Sequence, residues 1–103
     1  VVIDFRAYTF VPGTVPDFFE MFEKEGMAVQ QRILGNFIGM YRTEIGNTNE
    51  VIHMWGYEDA AQRQRLRAIL AKDQEFDAYV KKARKLITNQ DVRLLIPAPF
   101  NPK

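Results

Sequence analysis

The stretch Val51-Ile52-His53-Met54-Trp55-Gly56-Tyr57-Glu58-Asp59 decides the fold. Its first seven residues alternate with period two. Val51, His53, Trp55 and Tyr57 share one face, and Ile52, Met54 and Gly56 share the other. This is a strand with apolar side chains on both sides. Asp59 follows at an N-cap position with Gln62 three residues on, which is a capping box. A strand that runs straight into a capped helix is half of a crossover unit.

Working back from that segment, Gly46-Asn47-Thr48-Asn49 is a hairpin turn joining it to an earlier strand over 37–45. Gly35-Asn36 stops a long amphipathic helix whose stripe is Val15, Phe18, Phe19, Phe22, Val29 and Ile33. Thr14 stands at its N-cap, with Asp17 as an acidic partner. Gly26 lies on the stripe, where it costs about 1 kcal/mol relative to Ala, so it is expected to permit close approach to the sheet. Pro12-Gly13 separates this helix from an alternating first strand over 1–10.

Working forward, the helix capped by Asp59 runs through Leu70. Asp73 then caps a second piece, with Phe76, Tyr79, Val80, Ala83 and Ile87 at helical spacing. Residues 92–96 read as the last strand, and 97–103, with three prolines, as an extended tail. The order is βαββαβ. Right-handed crossovers place both helical layers on one face of a four-stranded antiparallel sheet, an α+β, ferredoxin-like architecture. The 103 residues suffice for one domain, 1–103, with no repeat or linker.

Composition narrows the function classes. Fourteen basic and thirteen acidic side chains leave a net charge of +1, with no overall drive toward nucleic acid. There is no cysteine, which removes disulfides, thiolate nucleophiles and Cys-based metal sites. His53 is the only histidine and has no second His for a metal site, so neither a metal nor another cofactor is expected. No apolar run is long enough to span a membrane, and no signal peptide is visible, so the expected location is cytoplasmic.

Both sheet faces carry apolar residues. Ile3, Phe5, Ile52 and Met54 are expected to face the helices, leaving Arg6, Tyr8, His53, Trp55 and Tyr57 on the other side. A Trp and two Tyr on an open face are too much apolar area to leave in water, so a homodimer paired face to face is expected.

Several segments resemble the NIPSNAP family. Arg6-Ala7-Tyr8-Thr9 followed by Pro12-Gly13 resembles its opening. The run from His53 to Asp59 resembles its central strand-to-helix motif, with Arg63 and Arg67 in the helix after it. Leu94-Leu95-Ile96-Pro97-Ala98-Pro99-Phe100 resembles its closing strand and tail. The resemblance implies a dimeric α/β barrel of ferredoxin-like subunits. Relatives of that fold include antibiotic-biosynthesis monooxygenases and small isomerases. It leaves the reaction open, because fold does not determine function.

The candidate site rests on a few side chains. His53 is the candidate catalytic group, a general acid or base near neutral pH. Arg6, Tyr8, Trp55 and Tyr57 are candidate ligand-binding residues. Arg would hold a carboxylate or enolate and Trp would stack on a ring, suiting a small aromatic or anionic molecule. A reaction there would be a cofactor-independent oxidation or isomerisation. The structural alternative pairs Arg6 with Asp4 or Glu58, seals the aromatics into a dimer, and makes the chain a non-catalytic interaction module. Arg63 and Arg67 share a helix face, read as a solvated one lying over the sheet edge.

Overall fold

The computed structural model describes residues 1–102. Strand β1 (Val2–Phe10) is followed by helix α1 (Val15–Met21), a π-helical turn (Phe22–Gly26), helix α2 (Met27–Leu34), and strands β2 (Asn36–Arg42) and β3 (Glu50–Tyr57). Helices α3 (Ala60–Ala71) and α4 (Gln74–Ala83), a 3-10 turn (Arg84–Leu86) and strand β4 (Ile87–Leu95) complete the fold. The sheet is antiparallel in the order β2-β3-β1-β4. The expected βαββαβ order and four-stranded sheet are present.

The faces are reversed from the expectation. Under the helices lie Asp4, Arg6, Phe10, Val51, His53, Trp55 and Tyr57, all buried. Ile3, Phe5, Ile52 and Met54 lie on the other side and are only partly covered. Register ties the sets together: Arg6 opposes His53 and Asp4 opposes Trp55, while Phe5 opposes Met54 and Ala7 opposes Ile52. Period two separates two faces but cannot say which is covered when both are apolar. The decision falls to Trp55, Tyr57 and Phe10, which together bury more area than Ile52 and Met54 could.

Three local readings also change. Strand β4 begins at Ile87 rather than residue 92, because Thr9, Tyr8 and Ala7 pair with Asn89, Gln90 and Asp91. That run is polar on both faces, as edge strands often are, and so carries no hydrophobic alternation. Strand β2 correspondingly ends at Arg42, short of Ile45. The Thr14 side chain makes no cap; its hydroxyl donates instead to the Val11 carbonyl at 2.7 Å. The caps read at Asp59 and Asp73 are present: their carboxylates accept from the Gln62 and Phe76 amides at 2.7 and 2.9 Å.

Gly26 makes room for another helix rather than for the sheet. A Cβ built there would lie 2.7 Å from the Tyr79 ring of α4. Gly35, with φ +90°, supplies the left-handed residue that stops α2 and turns the chain into β2. Among the described residues no helix is long and apolar enough to cross a membrane.

Candidate functional site

The site starts with three alternate residues of one strand. Asp4, Arg6 and Tyr8 all point under the helices because positions i, i+2 and i+4 share a strand face. Arg6 grips Asp4 with two bonds, Nε to Oδ1 at 2.9 Å and Nη2 to Oδ2 at 3.2 Å. Its Nη1 donates to the Tyr8 hydroxyl at 2.8 Å. Arg63, on α3, donates from Nε to the other side of Asp4, at 2.8 Å to Oδ2. One buried carboxylate is therefore shared by two guanidiniums. Burial alone would raise the Asp4 pKa, but the hydrogen bonds and charges of Arg6 and Arg63 outweigh it and hold the carboxyl below its ordinary value.

Arg67 lies one turn beyond Arg63 on the same helix face. It has no ion-pair partner among the described residues. Burial, and then the like charge of Arg6, lower its pKa. The arginine face of α3 thus turns inward over the sheet, against the expectation of a solvated surface. The sequence showed that 63 and 67 share a face; it did not show that Asp4 would be buried to receive one of them.

His53 sits beside Arg6 in register and is 6% exposed. The Trp55 indole donates from Nε1 to His53 Nδ1 at 3.1 Å. An imidazole nitrogen that accepts a hydrogen bond carries no proton, so the ring's hydrogen is on Nε2. His53 Nε2 has no partner among the described residues. Burial, with the charge of Arg6 adding to it, lowers the His53 pKa to about 3. That shift favours the neutral ring near pH 7, unlike an imidazole at its ordinary value. An orphan buried donor costs roughly 1–3 kcal/mol, so it calls for an explanation.

Between these groups and helix α4 lies a cleft of about 140 Å³. Its floor is Arg6, Tyr8, His53 and Trp55; Arg67 enters from α3, and Phe76 and Tyr79 form the helical wall. Arg84 and Gln90 also border it. Among the described residues no carboxylate lines it. Tyr8 meets the His53 ring edge-on, with centroids 5.0 Å apart, and Phe37 stacks behind Trp55 at 4.5 Å. Gln30 donates to the Gly26 carbonyl at 3.2 Å and also reaches the cleft.

Four of the five residues singled out from sequence, Arg6, Tyr8, His53 and Trp55, thus come together at the cleft. Tyr57 does not line it. It is buried at the far end of β3, and its hydroxyl has no hydrogen-bond partner although Arg67 is near enough to act on it. Arg67, Gln30 and Tyr79 were missed as site residues. Their only signals were the shared face with Arg63, a polar residue beside a helical stripe, and the spacing from Phe76. No group of three or more His, Asp or Glu side chains is placed to hold a metal ion among the described residues.

The sequence profile of the NIPSNAP family matches residues 3–102. The human protein NipSnap homolog 3A is 29% identical over 102 residues, covering 97% of this chain and 40% of its own length. The chain thus spans about two fifths of that curated relative. A NIPSNAP family protein of Agrobacterium tumefaciens has a solved structure that superposes with TM-score 0.94 at 37% identity, covering 98% of this chain and 96% of its own. An antibiotic biosynthesis monooxygenase superposes at TM-score 0.71 with 9% identity, over 96% of this chain and all of its own. At that identity the likeness is one of fold alone.

Proposed function

This chain belongs to the NIPSNAP family, and we propose that its cleft binds a small anionic molecule carrying one aromatic ring. One observation carries this reading: Arg67 stands half-buried beside Arg6 in a cleft that no carboxylate lines among the described residues. Asp4 is already shared by two guanidiniums, so the cluster of Asp4, Arg6, Arg63 and Arg67 keeps an uncompensated positive charge. A buried cation without a partner is costly, and a bound anion relieves it. The aromatic walls and the volume set the rest. About 140 Å³ is close to the roughly 150 Å³ cavity that takes up benzene in an engineered protein core. The interaction-module alternative requires the same side chains to be packed solid, and the cleft speaks against it.

The ligand is tested by comparing three single-ring probes of similar shape: benzoate, benzamide and benzylamine. Calorimetric titration is expected to rank benzoate well ahead of the other two. Arg67→Gln is expected to weaken benzoate about 10- to 100-fold, the worth of one charge-assisted hydrogen bond. Equal affinity for benzoate and benzamide would remove the anion from the proposal. If the ligand is also converted, the reaction class is the cofactor-independent oxidation or isomerisation expected from the resemblance.

We propose further that two copies pair through the open sheet face, as a dimeric α/β barrel. The surface is Ile3, Phe5, Ile38, Ile52 and Met54, the reverse of the face expected from sequence. Ile38 is 41% exposed in the single chain, and a contiguous apolar sheet face of this kind is what a second copy covers.

A further inference from the structure

The cleft's chemistry goes one step beyond binding an anion, and this step rests on that reading. We infer that the cleft selects an oxyanion, the conjugate base of a phenol or enol, and that His53 is its neutral hydrogen-bond donor, with Trp55 as the positioning residue that sets the imidazole tautomer.

The argument begins with what the cleft lacks. A group that removes a proton from a bound acid near neutral pH has to be an available base. Asp4 is bonded to the cleft's Arg6, and both its oxygens are taken by guanidiniums. No other carboxylate lines the cleft, and the chain has no thiol. His53 Nδ1 is occupied by the indole proton. Tyr8 accepts a hydrogen bond from Arg6, and burial raises the pKa of Tyr79. What the cleft does contain are donors and positive charge: Arg6, Arg67 and an imidazole N–H with no protein partner. Donors in place before the ligand arrives favour the charged form of a weak acid over its neutral form.

The tautomer is what makes His53 a donor. With Trp55 Nε1–H on Nδ1, the proton must reside on Nε2. The surrounding charges reinforce the neutral ring. Arg6 faces it from β1 and Arg67 from α3, both opposing protonation, and Asp4 alone favours it. Met40 opposes it from β2, and Tyr79 stands on α4. A neutral donor suits this task because a protonated imidazole would pass its proton to the oxyanion.

Two measurements test the inference. The first is imidazole ¹⁵N NMR of the wild-type protein. The expected result is the Nε2–H tautomer with no titration near neutral pH. An Nδ1–H tautomer, or an imidazolium near neutrality, overturns the inference without any variant having to fold. Trp55→Phe is expected to release Nδ1 and give a mixed or titrating ring. An unchanged tautomer in that variant would remove Trp55 from the role.

The second is absorbance of 4-nitrophenol added to the wild-type protein on the acid side of its own pKa. The expected result is the yellow phenolate, with the bound pKa lowered by about one unit, a tenfold preference for the anion. His53→Phe should reduce that preference several-fold. Benzoate binding combined with nitrophenol bound in its colourless neutral form refutes the oxyanion inference and spares the anion-site reading. Failure of both probes to bind refutes the two together.

Discussion

Replacing Asp4 with Asn tests the electrostatic foundation of the site. Asp4 is 0% exposed and accepts three bonds of 2.8–3.2 Å from two guanidiniums. The amide keeps one acceptor and turns an NH₂ toward a cation, so at least one guanidinium loses its partner. Breaking a buried ion pair from one side costs roughly 3–5 kcal/mol. The Arg6 side chain is 10% exposed but that of Arg63 is 27%, so Arg63 can recover some hydration. The lower end, about 3 kcal/mol, is the expected loss. That is a large part of the roughly 5–15 kcal/mol available to a domain of this size, and it lowers Tm by about 12 °C or more.

Urea unfolding followed by Trp55 fluorescence reads this directly, since Trp55 is the only tryptophan and is 1% exposed. A loss below about 1 kcal/mol would show that the cluster is not held as described. The double variant Asp4→Leu with Arg6→Met should recover much of the loss, because the two most buried charges go together and only the part-exposed Arg63 is left without its partner. The pH dependence supplies an independent sign. The folded-state pKa of Asp4 is depressed, so its contribution is full above the ordinary value of 3.8 and is lost as pH falls through the lower folded value. The difference between wild type and the Asn variant should therefore hold above pH 3.8 and shrink as pH falls from 3.8 through the lower folded value.

Other outcomes follow from single features of the fold. Gly26→Ala should destabilise the protein by about 1–2 kcal/mol, because displacing a Tyr79 ring 2.7 Å away outweighs the roughly 1 kcal/mol gained in helix propensity; chemical denaturation would show a gain instead if Tyr79 moves freely. His53 is held neutral with its pKa lowered to about 3, so the unfolded chain takes up its proton first. Stability should fall as pH drops from 6.5 toward that value, by about 1 kcal/mol per pH unit, and His53→Phe should remove the slope. Phe5→Lys, on the open face opposite Met54, should convert a dimer to a monomer in light scattering while leaving benzoate affinity unchanged; an unchanged mass would place the pairing surface elsewhere.

Much of the fold was legible because its punctuation is local. Asp59 with Gln62, Asp73, Gly35 and the Gly46 turn each act through a backbone bond or dihedral within a few residues, and all stand where the sequence put them. The errors fall where a long-range partner decides. Strand β4 was cut short because Thr88 to Asp91 have no alternation of their own and become a strand only through pairing with β1. Gly26 was assigned to the sheet because nothing in the sequence says that Tyr79, 53 positions later, needs the space.

The site shows the same division with the opposite consequence. Arg6, Tyr8, His53 and Trp55 were found because they alternate on strands expected to be neighbours. Their surroundings differ from the expected open face, because burial depends on what covers them. On an open face His53 would titrate near neutrality, Arg6 would be solvated, and Arg63 with Arg67 would be a surface stripe. Turning that face under the helices buries Asp4, and burial is what obliges the α3 arginines to turn inward. One of them then joins Arg6 on Asp4, and the other has no ion-pair partner among the described residues. The reversal of the faces thus moves His53 from an open surface to a buried position in the cleft that Arg67 enters, where the proposed anion site lies, and it relocates the proposed dimer contact to Phe5, Ile52 and Met54.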